Sequence, residues 1–411
     1  MVKVNSFRAL RPVKEKAHEI ICPPYDVVDT EEARTLAGDN QNSFLHIVRS
    51  EIDFPEGHNP YDEEIYAKAK ANLERLVFEG LMKRDAEPSV FVYRLDANGK
   101  SQYGLVSCLH VDDYTENRIL KHEFTRREKE DDRTKHIDTV GANTGLIYLM
   151  YRNSALPELA EILETTASGE PLYDITENEV RHRIYGGGEN IQRLISSAEK
   201  LSGVYIADGH HRAASSARVA NLRRERAGTF DGNEQFNWFL TVLFPDHLLN
   251  ILPYNRAVAD LNGLSADLLI SGIEKKGFSV KEGRKERLDL HEFNMYLSGK
   301  WHTLTANPEL YSDADEVSLL DVSILQNHIL GPLLGVDDPR TSEKIKFVGG
   351  IRGEAELEKL VDSGKFSVSF SLHPVSTSQL MSISDAGKVM PPKSTWFEPK
   401  LKSGFLVNPL D

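Results

Sequence analysis

Residues 203–220 read Gly-Val-Tyr-Ile-Ala-Asp-Gly-His-His-Arg-Ala-Ala-Ser-Ser-Ala-Arg-Val-Ala, an order that suits a strand turning abruptly into a helix. Val204, Tyr205 and Ile206 are strand formers. Asp208-Gly209 interrupts the run. Ala213, Ala214, Ala217 and Ala220 then recur at helical spacings, in the residue type with the highest helix propensity. His210, His211 and Arg212 therefore fall at the junction. The first N–H groups of a helix lack internal partners, and its N-terminus carries partial positive charge. An anion, phosphate above all, is well placed there. Gly209 allows close backbone approach, Arg212 offers a planar fork of donors, and Asp208 can hold a metal ion or accept a proton. A tight turn with a solvated arginine would account for Asp-Gly alone. It does not account for two histidines and an arginine at a helix start.

What surrounds this stretch narrows its use. A chain of 411 residues has room for about two to three domains and a sizeable core. Its formal charge is −14, from 63 acidic and 49 basic residues, which opposes nucleic-acid binding. One local basic pocket could still take a phosphorylated metabolite. The two cysteines, Cys22 and Cys108, lie far apart, as suits a reducing cytoplasm. The first residues, Met-Val-Lys-Val-Asn-Ser-Phe-Arg, lack the apolar core of a signal peptide. No apolar run reaches membrane-spanning length. The partner expected is thus a small-molecule substrate, with no nucleic acid and no membrane.

A second charged constellation spans Lys121 to Arg133. Thr125 with Glu128 has the spacing of a capping box, predicting a helix from about Arg126. His122 and Glu123 then sit just outside that N-terminus. Glu123 lies between His122 and Phe124, whose bulk would partly desolvate it toward the range of a general base. Arg126, Arg127, Lys129 and Arg133 offer partners for phosphate. Surface salt bridges would explain the run from Arg126 to Asp132, but not His122-Glu123.

The remaining pattern is mixed. Val2 and Val4 suggest a first short strand, and Pro23-Pro24 stiffens the loop that carries Tyr25 and Asp26. Residues 30–37 read as a helix capped by Asp29 or Thr30. Phe44–Val48 reads as a strand and Tyr61–Glu79 as an amphipathic helix, with Ile65, Ala69, Leu73, Leu76 and Val77 on one face. Asn98-Gly99 marks a hairpin between Ser89–Leu95 and Tyr103–Val111. Further strands are predicted at Asn143–Tyr151 and Trp238–Phe244, and helices at Leu156–Thr166 and Ile191–Leu201. Gly186-Gly187-Gly188 lacks the Lys-Ser or Lys-Thr of a phosphate loop, so it reads as a flexible linker. Leu252-Pro253-Tyr254-Asn255-Arg256 reads as a loop near a domain boundary. Beyond it, Leu319–Leu330 and Glu354–Val361 read as helices, Ile345–Val348 as a strand and Phe366–Leu372 as a half-buried strand. Residues 390–400 combine rigid Pro391-Pro392 with Lys393-Ser394-Thr395 and an anchoring Trp396-Phe397. They read as an ordered segment folded back over the site.

Taken together, Pro23-Pro24-Tyr25-Asp26-Val27, His122-Glu123-Phe124-Thr125 with Arg133, and Ala207-Asp208-Gly209-His210-His211-Arg212 resemble the family known as domain of unknown function 1015. So do Leu252-Pro253-Tyr254-Asn255-Arg256, Phe347-Val348-Gly349-Gly350 and Pro391-Pro392-Lys393-Ser394-Thr395, so the resemblance covers essentially the whole chain. The Asp-Gly-His-His-Arg loop is also similar to the phosphate-binding loop of the ParB/sulfiredoxin-like superfamily, which includes free L-serine kinases.

That resemblance implies an α+β fold: a ParB/sulfiredoxin-like catalytic domain over residues 1–250, and a second α+β domain over 251–411 with a C-terminal segment folded toward the site. It implies Mg²⁺-dependent phosphoryl transfer from pyrophosphate or a nucleotide to free L-serine. Glu123 would be the base, with Asp208 and His211 beside it. Gly209, His210, His211, Arg212, Arg133, Lys393, Ser394 and Thr395 would bind phosphate. Tyr25, Asp26, His122, Thr125 and Arg256 would contact substrate, and Asp208 the metal. Two alternatives stay open: a non-enzymatic nucleotide-binding regulator of ParB type, and a phosphoserine phosphatase running the reverse chemistry.

Overall fold

The computed structural model describes residues 1–312 and 315–411. The chain divides into two compact units, Met1–Leu249 with Pro399–Asp411, and Asn250–Glu398. Both are α+β. The second domain expected from the sequence ran to residue 411, but Phe405, Leu406, Val407 and Leu410 are buried and the last segment belongs to the first unit.

The first unit is built on a nine-stranded mixed sheet. Along its path lie Ile119–Leu120, Val204–Asp208, Ile147–Tyr151, Trp238–Pro245, Lys100–His110, Phe91–Ala97, Val180–Gly186 and Tyr173–Glu177, with Val4–Asn5 added beside Lys100–His110. The hairpin forms where Asn98-Gly99 predicts it, with φ of 51° and 73°, the left-handed pair that matches strand twist. Val204–Asp208 runs parallel to Ile119–Leu120 and antiparallel to Ile147–Tyr151. Val204 and Ile206 join Ala213, Ala217 and Ala220 of the following helix, His210–Ala227, in one apolar core. Small residues on that helix let it approach the sheet closely. A second core gathers Phe44, Leu45 and Val48 with Ala69, Leu73 and Leu76 of the helix Glu63–Phe78.

Several local expectations give way to tertiary context. Leu45–Val48 is a helical turn rather than a strand. All four of its residues are buried, and a run buried on every side carries no period to read. Val77 is exposed, off the buried face of its helix. The glycine run is no flexible linker. Gly186 ends a sheet strand, and a Cβ on Gly187 would lie 2.8 Å from Ile191 and 2.9 Å from the Val90 carbonyl oxygen.

The second unit holds a six-stranded antiparallel sheet in the order Phe278–Glu282, Lys300–Ala306, Glu292–Leu297, Val368–Leu372, Tyr254–Val258, Ile345–Gly349. Val368–Leu372 is central and buried along its whole length, not half-buried. The predicted loop at 252–256 is split between the strands Asn250–Leu252 and Tyr254–Val258. The expected helix Leu319–Leu330 is an α-helical turn, Asp321–Leu325, continued as a π-helix, Gln326–Leu330. Trp396–Glu398 pairs with Asn250–Leu252, and the Trp396 ring covers Gly349, where a Cβ would come within 2.7 Å of it. No helix of the described residues is long and apolar enough to cross a membrane.

Candidate functional site

The strand Val204–Asp208 ends in a bulge. Its register against Ile147–Tyr151 shifts between Ile206 and Asp208, a device that re-aims the side chains at a strand end. Gly209 follows with φ of 97° and forms the N-cap of His210–Ala227 without any side-chain cap. Only glycine adopts that backbone readily. The opening N–H groups of this helix are thus not covered by a capping side chain.

Asp208 organises the turn. One carboxylate oxygen accepts the Gly209 N–H at 2.8 Å, and the other accepts the Lys400 ammonium at 2.8 Å. Sequence reasoning missed Lys400, whose separation from Asp208, 192 positions, leaves no local signal. Lys400 comes from the last segment of the first unit, which begins at Pro399; the segment expected to fold back, 390–400, belongs up to Glu398 to the second unit. The same contact bears on the metal. A carboxylate already engaged by an ammonium and a backbone N–H does not fit a resident Mg²⁺ ion without losing Lys400. Among the described residues, the side chains close enough to share an ion are His58, Asp62 and Glu64, which do not include Asp208.

The two histidines of the motif face different elements. His210 is buried and meets buried His122 edge to face, ring centroids 4.4 Å apart, with the His122 N–H 3.5 Å from His210 Nε2. Burial pushes the His122 imidazole down to about 4 and His210 well below its ordinary value. Both are therefore neutral at pH 7. His122, expected from the sequence to contact substrate, packs against His210. Glu123 Oε2 lies 3.9 Å from His210 Nδ1, which brings the expected base to the start of the helix. Its carboxylate side chain is 36% exposed.

His211 turns the other way and accepts the Arg126 N–H at 3.0 Å. It thereby caps the helix Arg127–Val140, whose N-cap, Arg126, has no side-chain cap of its own. The expected capping box of Thr125 with Glu128 does not form: the helix starts one residue later than that spacing needs, and the Thr125 hydroxyl donates to Glu130 at 2.8 Å. Phe124 is 67% exposed and so does not shield Glu123 from water as expected.

Arg212 is not the solvated arginine of a surface turn. Its side chain is only 12% exposed. Nη1 donates to the Leu146 carbonyl, Nη2 lies 3.4 Å from Asp26, and Nε is buried without a partner. The guanidinium folds over Gly209, where a Cβ would stand 3.1 Å from Nε. Glycine is thus required twice, for its φ and for this space. Arg133 stacks over the Tyr25 ring at 4.4 Å and pairs with Asp132 at 2.9 Å. Burial raises the Tyr25 phenol to about 12. Tyr25, Arg133, Thr144, Arg212, Ser216 and Ser403 line a cavity of about 20 Å³, enough for one water and too small for phosphate or serine. Arg133 therefore clamps Tyr25, where the sequence suggested a phosphate ligand.

Arg212→Ala should accordingly cost stability as well as anion affinity. Leaving the Leu146 carbonyl and Asp26 without their donor should destabilise the first unit by about 1–3 kcal/mol. A melting temperature equal to that of the unaltered protein would show that the guanidinium ties nothing down.

The remaining expected residues lie in the second unit. Arg256 is buried, stacks on Phe347 at 4.5 Å and donates to the carbonyls of Tyr254 at 2.6 Å and Lys393 at 3.1 Å. The residue expected to contact substrate thus ties backbone carbonyls together. Ser394 is buried and donates to the Pro391 carbonyl at 2.6 Å. Lys393 is exposed, and its ammonium lies 5.6 Å from the centre of the Tyr254 ring. Thr395 is half-buried in the same segment.

The sequence profile of a family described as "Protein of unknown function (DUF1015)" matches residues 4–323. No curated protein matches the chain. Among solved structures it is similar to a free serine kinase in complex with AMP, at 15% identity and TM-score 0.36, over 73% of this chain and 91% of that one. It is similar to a conserved hypothetical protein from Pyrococcus furiosus at 14% identity and TM-score 0.36, over 74% and 95%. It is also similar to SbnI with a C-terminal truncation from Staphylococcus aureus, at 10% identity and TM-score 0.39, over 74% and 87%.

Proposed function

We propose that this chain, which belongs to the DUF1015 family, is a phosphotransferase of serine metabolism that moves a phosphoryl group from pyrophosphate or a nucleotide to the hydroxyl of free L-serine. The observation that carries the reading is the junction itself. A left-handed glycine opens a helix without a side-chain cap, with Arg212, Lys400 and Glu123 around it. Phosphoryl transfer asks mainly for positioning and charge neutralisation around an anion cradle, with a base for the attacking hydroxyl. The resemblance of this loop to the phosphate-binding loop of ParB/sulfiredoxin-like domains supports the same reading.

In this reading the donor's phosphates rest against the N–H groups that follow Gly209. Arg212 and Lys400 offset charge that builds on the leaving group. The serine hydroxyl gives its proton to Glu123 as the new oxygen–phosphorus bond forms and the bond to the departing phosphate or nucleotide breaks. His210 stays neutral, and His211 fixes the loop that carries Glu123. Buried Cys22 and Cys108, both unoxidised thiols, suit a cytoplasmic enzyme.

The test is a donor screen. Pyrophosphate, ADP and ATP are each incubated with L-serine and the protein, and O-phosphoserine is quantified. One donor should give product at many turnovers. Release of phosphate from O-phosphoserine with no forward reaction would favour the phosphatase. Tight nucleotide binding without turnover would favour a regulatory protein.

A further inference from the structure

We propose that Lys400 is the cation that receives the donor's phosphate at the junction, in the position the sequence assigned to a metal ion on Asp208. The inference deepens the phosphotransferase reading and rests on it.

Lys400 reaches Asp208 from a segment that the first unit fixes along its length. Cys22 and Ser403 exchange backbone hydrogen bonds of 3.1 and 2.9 Å, and Leu10 and Val407 exchange two of 2.9 Å. Asn408-Pro409 pairs with Ala142-Asn143. Closer to Lys400, the Lys402 N–H donates to the Tyr93 hydroxyl at 3.2 Å, and the Lys402 ammonium pairs with Glu177. The backbone that follows Lys400 is therefore held, and its ammonium is positioned by Asp208 at 2.8 Å.

That ammonium stands one carboxylate away from the residue that opens the helix. Asp208 Oδ2 accepts from Lys400 while Oδ1 accepts from Gly209, both at 2.8 Å. The Lys400 side chain is 19% exposed and Asp208 29%, so the pair is shielded but reachable. An ammonium carries three donors and can bridge a carboxylate and a phosphoryl oxygen together. Asp208 also acts electrostatically on Arg212, His122 and His210. With His122 and His210 neutral, Lys400 and Arg212 bring positive charge to Asp208, while Lys121 and His211 act on His210. Lys400 thus does what a metal ion would do at an anion cradle: it neutralises without needing to be recruited.

The competing reading makes Lys400–Asp208 a structural salt bridge. Calorimetric titration of inorganic pyrophosphate separates the two. It is run with the full chain, with Lys400→Met and with Lys400→Arg, each in EDTA and in excess Mg²⁺. The unaltered protein should bind pyrophosphate in EDTA. Lys400→Met should bind at least about tenfold more weakly there, the value of one charge-assisted hydrogen bond, and Lys400→Arg should recover part of the loss. Equal binding by Lys400→Met and the unaltered protein would overturn the proposal while leaving the phosphotransferase reading standing. So would binding by the unaltered protein that EDTA abolishes, an arm that needs no variant to fold. Failure of the unaltered protein to bind pyrophosphate, ADP or ATP under either condition would remove the phosphotransferase reading together with this one.

Discussion

Glu123→Gln is expected to lower turnover at saturating serine and donor by about 10²–10⁴, the range for a lost general base, with donor affinity little changed. The substitution keeps size and most hydrogen-bonding capacity but cannot accept a proton. Position supports the role: Glu123 Oε2 lies 3.9 Å from His210 Nδ1, and the His210 ring belongs to the first residue of the site helix. His210 is held neutral by burial, so no full imidazolium charge pins the carboxylate. The alternative is a carboxylate that merely orders its loop. It predicts a lower melting temperature and weaker donor binding together, with turnover at saturation nearly intact. Turnover near that of the unaltered protein would take Glu123 out of the mechanism.

The first unit should lose stability steadily as pH falls from about 6.5 to 4. His122 and His136 are held down to about 4, and His182 to about 3, in each case chiefly by burial. In the unfolded chain these imidazoles protonate near 6.5. Below that pH the unfolded state binds protons that the native state refuses, so stability falls as pH falls. The contribution is complete above about 6.5 and is lost on the way to 4. At about 1.4 kcal/mol per pH unit, His122 and His136 each account for roughly 3 kcal/mol, against a total stability of about 5–15 kcal/mol for a typical domain. Denaturant melts at half-unit pH intervals test this. A midpoint that stays flat from pH 7 to pH 4.5 would mean that these imidazoles are solvated in the native state.

Much of the junction was legible because its chemistry is local. Val204 to Ile206, Gly209 and the alanines after it each favour one backbone state, and the strand, turn and helix form where those preferences point. The same holds for Asp29, one of the two caps the sequence offered, whose carboxylate accepts the Glu32 N–H. What was not legible depends on partners far away in sequence. Arg212 looks like a surface donor until Leu146 and Asp26 draw it inward. His122 looks like a ligand until His210 covers it. Thr125 and Glu128 have capping-box spacing, but His211 takes the N–H of Arg126 and Thr125 turns to Glu130. Lys400 had no signal at all, since a lysine in a Pro-Lys-Leu-Lys stretch looks like any solvated one.

The pairing of Asn250–Leu252 with Trp396–Glu398 has a consequence for how the chain assembles on the ribosome. In that ribbon Asn250 stands opposite Glu398, so the second unit, once folded, holds its own entry and exit side by side. Without it, bringing residue 399 back to residue 249 would mean closing a very long loop, at an entropic cost that grows with the logarithm of loop length. The second unit settles that closure in advance and hands residues 399–411 back to the nascent first unit as if they followed residue 249 directly. Connectivity sets one limit on the order of events: residues 399–411 are synthesised after the whole second unit, so Lys400 can meet Asp208 only once that unit has been made.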